Sequence, residues 1–342
     1  MRILIVKLSS LGDVVHSLPV LVDIKSQFPD AKIDWVVEPA FASLLEFNSN
    51  IERVIVCSLR DWTRNYFDEK ARSGVRSFLR ELRQIPYDVV IDLQGLSKSA
   101  LISRCTTLTP KGLRVAMANQ TEGSSYESLT RWVSNLAIEL PKKIHAVERG
   151  RLLCSKALGY ELPGQLDYGL RINLSPVQFD TDPPGGKNTL GDHHALQVLL
   201  IHGTSRADKL WPLTHWIDLS ERLITSGYEV CVTYASDTEH EFVNELMAKV
   251  EGVKLWHKQS LGDLSNLMSN CFGAIGVDSG VSHLAVALDL AHVQIYNFPT
   301  DWRTGPLPCP YQSSIFDHPT PSVDRVWNEW LTVSQRRQLK HD

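Results

Sequence analysis

Short β-branched runs recur along the chain with helix-compatible segments between them, and this alternation restricts the fold more than any other feature. RILIV, IDWVV, RVIVC and YDVVIDL lead the first half; LQVLLIHG, YEVCVTY, GAIGV and HVQIYNF lead the second. Strands separated by helices pair in parallel, because a crossover helix returns the chain to the same end of the sheet. The expected class is α/β, with two Rossmann-like halves in tandem. Near residues 160–195 the pattern lapses into a stretch rich in Pro, Gly, Asp and Asn, which reads as a linker. The expected division is residues 1–165, a linker over 166–195, a second domain over 196–320, and a C-terminal helix over 321–342 that packs back on the first half.

Composition narrows the partners. At 342 residues the chain exceeds one core of ordinary size. Its net charge of −4 excludes a general nucleic-acid binder. The six cysteines are scattered, with no CxxC and no short Cys/His spacing, so they read as reduced core residues of a cytosolic protein rather than as a metal site. The opening MRILIVK has only four apolar residues before a charge, too few for a signal segment. No run approaches the roughly 18 apolar residues of a transmembrane helix. Any contact with a membrane is therefore expected from the surface.

Several stretches carry chemistry, each beside a plainer reading. Asp13, in KLSSLGDVVHSLP, follows the first strand directly. It reads as a helix N-cap, or as a carboxylate turned to the ligand crevice at a strand's C-terminal end. Pro19 is expected to kink the helix that follows or to restrict its first turns. The G-x-G-x-x-G fingerprint of a dinucleotide site is absent there, and PPGGKNT in the linker is a flexible turn rather than a phosphate loop. In HGTSRADKLWP, Thr204, Ser205 and Lys209 precede a helix, a combination suited to a phosphate or to a solvated loop. In GVDSGVSHLAVAL, Asp278 ends a strand, Ser279 and Gly280 open a helix, and His283 follows one turn on. Bare amides there suit a pyrophosphate; the alternative is a capping Asp278 with a core His283. Glu239 starts another helix, a place that suits ribose hydroxyls or merely the helix dipole. Arg72, Arg76, Arg80 and Arg83 share one helical face that is either solvated or turned to an anionic surface.

Taken together, ILIVKLSSLGDVVHSLP, DWVVE, YDVVIDLQGLSKSAL, HAVER, HGTSRADKLWP and VDSGVSHLAVAL resemble the lipopolysaccharide heptosyltransferases, most closely the branch acting first on the lipid-linked acceptor. The resemblance runs from residue 3 to about residue 305, in family order. It implies a glycosyltransferase-B fold of two facing Rossmann-like domains, with the acceptor on the N-terminal one and the donor on the C-terminal one. It further implies inverting transfer of heptose from ADP-L-glycero-β-D-manno-heptose to the first Kdo of Kdo2-lipid A, with neither metal nor cofactor, at the cytoplasmic face of the inner membrane. By motif, Asp13 would be the general base. Thr204, Ser205, Lys209, Asp278, Ser279, Gly280 and His283 would hold the donor, and Glu239 its ribose. Lys209 would also offset charge on the leaving group. Ser10, Gly12, Arg60, Arg64 and Arg149 would meet the anionic acceptor. The chain departs from many relatives at YNFPTDWRTGP, so donor contacts of residues 296–305 are left open.

The chemistry suits these residue types. An inverting displacement needs one base on the acceptor side. Without a metal, preorganised donors must meet the charge on the departing diphosphate, at about 3 kcal/mol each. Two other readings stand beside this one: transfer to a later core sugar, and a nucleotide-sugar-binding protein without turnover.

Overall fold

The computed structural model describes residues 1–65, 67–172 and 196–341. The expected linker from residue 173 onward, with its PPGGKNT turn, lies outside the described residues. The chain divides into two compact units, Met1–Arg171 and Ile172–Asp342.

The first unit holds six strands: β1 (Arg2–Val6), β2 (Lys32–Val37), β3 (Ile51–Val56), β4 (Tyr87–Asp92), β5 (Leu108–Met117) and β6 (Leu136–Ile138). They pair in parallel in the order β3-β2-β1-β4-β5-β6. Its helices are α1 (Leu11–Ser17), α2 (Pro19–Gln27), α3 (Pro39–Leu45), α4 (Leu59–Arg64), α5 (Glu69–Arg83), α6 (Ser97–Cys105), α7 (Leu129–Val133) and α8 (Ala146–Leu158). Helices cover both faces of such a sheet, so its central strands are buried on both sides. Ile3 to Val6 are accordingly fully buried. Pro19 does not kink one helix but starts another: α1 stops at Ser17 and Pro19 takes the first position of α2, where its missing N–H costs nothing.

The second unit repeats the plan with β7 (Gln197–Ile201), β8 (Glu229–Thr233), β9 (Lys254–Trp256), β10 (Gly273–Val277), β11 (Ala291–Tyr296) and β12 (Gln312–Phe316). Their order, β12-β11-β10-β7-β8-β9, is the order of the first sheet written backwards. Its helices are α9 (Leu213–Thr225), α10 (Asp237–Lys249), α11 (Leu261–Ser269), α12 (Gly280–Ala287), α13 (Asp301–Thr304) and α14 (Val323–His341). The C-terminal helix differs from expectation. On α14, Val326, Trp330 and Val333 are buried in this unit's own core with Val230, Ile275 and Val293. Burying a large apolar side chain stabilises by about 1.5–3 kcal/mol, which fixes α14 here.

In each unit the first and fourth strands lie side by side, β1 with β4 and β7 with β10. The connections leave these neighbours in opposite directions, so a crevice opens at their C-terminal ends. The candidate site residues cluster around these two switch points.

Candidate active site

In the first unit the chain leaves β1 through Lys7, Leu8 and Ser9 into α1. Ser10 is the N-cap, and Asp13 stands at the third helical position rather than at the cap. The Ser10 amide and hydroxyl donate to Asp13 Oδ2 at 3.4 and 3.0 Å, the backward half of a capping box. Oδ1 meets two cations at longer range: Lys7 Nζ at 3.4 Å and Arg149 of α8 at 3.7 Å. The Asp13 side chain keeps 39% of its surface exposed.

Behind it the cations are tied down. Buried Lys7 donates to the Leu93 carbonyl at 3.2 Å, and Arg149 donates to Thr121 Oγ1 at 3.4 Å. Gln94, just past β4, accepts from the amides of Leu8 and Ser9 at 3.0 and 3.2 Å, so the β4 turn fixes the β1 turn. Asp92 is saturated by the amides of Gln94 and Gly95 and by the Ser99 hydroxyl.

Burial works against the charge on Asp13, but Lys7, Arg149 and the Ser10 donors outweigh it and hold the carboxyl below its ordinary range. It is ionised at neutral pH. Burial lowers Lys7, with Arg149 adding to the effect, while Asp13 and Asp92 oppose it. Burial pushes Asp92 up to about 6 despite its three donors.

One turn away, Glu38 at the end of β2 joins Arg60 and Lys98, each at 3.3 Å from Oε1. Lys98 also reaches Ser9 Oγ at 3.4 Å. Arg60 stays 76% exposed, and Arg64, a turn further along α4, is exposed as well. Trp62 between them serves packing: it lies on Phe78, and a Cβ at Gly74 would fall 2.7 Å from its indole nitrogen.

In the second unit the site is built on Asp278, at the end of β10. Its carboxylate is buried between Lys209 Nζ at 2.6 Å and His283 Nε2 at 3.4 Å. Thr204 Oγ1 donates to its carbonyl at 3.1 Å, which joins the β7 turn to the β10 turn. Burial again opposes ionisation, yet His283 and Lys209 bring the Asp278 carboxyl down to about 2. Lys209 lies in a 3-10 turn, Ala207–Lys209, rather than at a helix N-terminus. Asn297 holds that turn by donating to the carbonyls of Asp208 and Leu210, both at 3.0 Å. Ser205 is exposed on the same loop.

Ser279 caps α12, accepting from the Ser282 amide at 3.4 Å, and Gly280 takes the first helical position. The first-turn amides of α12 that Ser279 does not cap, those of Gly280 and Val281, follow closely on Asp278. Glu239 accepts from the Ala235 amide at 2.7 Å, and a Cβ at Gly203 would collide with its carboxylate, so β7 and α10 meet there. Behind His283, Gln294 Nε2 lies 3.4 Å from Nδ1. With the amide donating, the imidazole keeps its proton on Nε2, toward Asp278. Among the described residues, no group of three or more His, Cys, Asp or Glu stands as a metal site.

The sequence model of glycosyltransferase family 9 (heptosyltransferase) matches residues 75–322. The chain belongs to glycosyltransferase family 9. Lipopolysaccharide heptosyltransferase 1 of Pseudomonas aeruginosa is 35% identical over 303 residues, 88% of this chain and 79% of that protein. Lipopolysaccharide heptosyltransferase 2 of Salmonella typhimurium is 25% identical over 319 residues, 90% of this chain and 86% of that one. Among solved structures, E. coli heptosyltransferase WaaC with ADP superposes with a TM-score of 0.83 at 30% identity, covering 96% of this chain and 98% of that chain.

For this family 9 chain the motifs assemble as two clusters. Ser10, Gly12, Asp13 and Arg149 come together at the β1 end, with Arg60 nearby through Glu38. Thr204, Lys209, Asp278, Ser279, Gly280 and His283 come together at the β7 and β10 ends, with Glu239 on the adjoining helix. Arg64 makes no approach to Asp13 among the described contacts. Sequence reading passed over Lys7, Glu38, Gln94, Lys98, Gln294 and Asn297. Only Lys7 left a signal: a lysine directly after four buried apolar residues has to find a carboxylate.

Proposed function

We propose that this heptosyltransferase moves L-glycero-D-manno-heptose from ADP-heptose to the first Kdo of Kdo2-lipid A, with inversion and without a metal. The observation that carries the proposal is Asp13: an ionised, reachable carboxylate at a switch point, with one oxygen spent on the helix cap and the other turned to cations at longer range. The acceptor hydroxyl oxygen forms a bond to the anomeric carbon as the bond from that carbon to ADP breaks. Its proton goes to Asp13 Oδ1, and the electron pair leaves with the diphosphate. Lys209 and the first-turn amides of α12 receive that charge as preorganised donors. Asp278 and His283 position Lys209, and Glu239 binds the ribose hydroxyls. Arg60, Lys98 and Arg149 meet the carboxylate and phosphate groups of the acceptor. Greater likeness to heptosyltransferase 1 than to heptosyltransferase 2 supports the first acceptor position. The enzyme works at the cytoplasmic face of the inner membrane, where lipid-linked acceptor and soluble donor meet.

The test incubates purified protein with ADP-heptose and Kdo2-lipid A while ADP release and product mass are followed. One heptose added per ADP released is expected. No release while both ligands bind would sink the proposal. Turnover only with an acceptor that already carries a heptose would move the enzyme to a later step.

A further inference from the structure

Three exposed large apolar side chains of the first unit lie on two packed helices. On α6, Leu101 is 59% exposed; on α7, Leu129 and Trp132 are 45% and 84% exposed. Helices α6 and α7 pack against each other, and the Ser97 amide at the start of α6 donates to Glu127, just ahead of α7, at 2.8 Å. Leu129 and Trp132 are three apart, as are Leu101 and Arg104, so each pair shares a side of its helix. The charge around them is mostly positive: over residues 93–138, Lys98, Arg104, Lys111, Arg114 and Arg131 stand against Glu122 and Glu127. Arg104 and Arg131 are exposed, and Arg83 at the end of α5 joins them by donating to the Cys105 carbonyl at 2.9 Å. The result is a largely cationic zone around exposed Trp and Leu on a chain whose net charge is −4.

We propose that the outer side of α6 and α7 docks on an anionic lipid bilayer. Trp132, Leu129 and Leu101 enter the boundary between headgroups and acyl chains, and Arg83, Arg104 and Arg131 meet lipid phosphate. This rests on the reading of the acceptor as lipid-linked and adds the face by which the enzyme reaches it. The basic face of α5 alone is a poorer anchor, because Phe78 and Leu82 are turned into the core and none of its large apolar side chains is exposed. Phe67, also exposed, is followed at once by Asp68 and Glu69. A second copy seated symmetrically on this face would set its arginines against their own equivalents.

The experiment floats the full chain with phosphatidylethanolamine–phosphatidylglycerol vesicles and with phosphatidylcholine vesicles. Wild type is expected on the anionic vesicles, less so as salt rises. Leu101→Ser with Trp132→Ser should weaken that binding about tenfold, and Arg104→Gln with Arg131→Gln about fivefold per charge. Both variants should turn over an acceptor stripped of acyl chains at the wild-type rate, which also reports that they fold. Should either variant misfold, brominated lipid quenching supplies the second readout: wild type must lose an emission component that Trp132→Phe lacks. Unchanged vesicle binding by the variants, or no Trp132 component, overturns the proposal. So does a wild-type dimer that the variants dissolve. Absence of turnover by wild type on the soluble acceptor would count against the proposed reaction, while vesicle binding and lipid quenching would still decide the docking face.

Discussion

Asp13 and Asp278 stand past the C-terminal ends of paired central strands in two units of the same topology, and each has a lysine on its carboxylate. The resemblance stops there. Asp278 is 4% exposed and its lysine lies at 2.6 Å; Asp13 is 39% exposed and its lysine lies at 3.4 Å. A carboxylate gripped that closely fixes the shape of a loop and has no oxygen to spare. One held at arm's length by buried cations stays charged yet can still receive a proton. Asp13 follows the first strand of its unit and Asp278 the fourth, so the two are not counterparts in the repeat; on the proposed mechanism the first serves chemistry while the second serves architecture.

The strongest way to break this contrast is Asp13→Asn, which should cut turnover about a thousandfold while ADP binding, measured by calorimetry, stays near wild type. A variant within tenfold of wild type would reduce Asp13 to its helix-capping role. Asp278→Asn should do the opposite, lowering stability more than any other single change at either cluster. It leaves Lys209 without its close partner, a loss of about 2–3 kcal/mol at pH 7 by denaturant unfolding. The Asp278 carboxyl is lowered to about 2 in the folded chain, so its contribution is complete above the unfolded value near 4 and fades as pH falls toward 2. The variant and wild type should therefore converge in acid.

A smaller effect sharpens the Asp13 side. Lys7→Met removes a charge that favours the ionised carboxylate, so the acid limb of the kcat/KM profile should move upward by about one pH unit. A downward or absent shift would mean that Lys7 does not act on Asp13. The smallest is Gln294→Leu, behind His283: stability should change by less than about 1 kcal/mol and ADP affinity by about threefold, with the imidazole tautomer altered in nitrogen NMR spectra. An unaltered tautomer would show that another neighbour orients the ring.

Much of this was legible in sequence wherever one element carried the whole signal. The strands RILIV and GAIGV and the turns holding Asp13 and Asp278 announce themselves through apolar runs that end in small or acidic residues. Strand β5 did not, because Pro110 and Gly112 interrupt it; Gly112 is there because a Cβ would fall 2.7 Å from the Tyr87 carbonyl as the register shifts. Short β9 and β12 are likewise masked by polar residues. The site's supporting layer was hidden for a different reason. Glu38 with Lys98 and Arg60, or Gln94 with Leu8 and Ser9, are pairs made by the sheet across long stretches of chain, and no local pattern marks them. Helix α14 carries apolar residues that would suit either half in sequence; the burial of Trp330 in the second core ties it to that unit.

The capping box around Asp13 carries one more consequence. On the proposed mechanism, each turnover leaves a proton on a carboxyl that its surroundings favour as an anion. Ser10, Lys7, Arg149 and the helix start all lose part of their interaction at that moment. The molecule therefore carries its own restoring force: the spent base is driven to hand its proton to water and is re-armed before the next acceptor arrives.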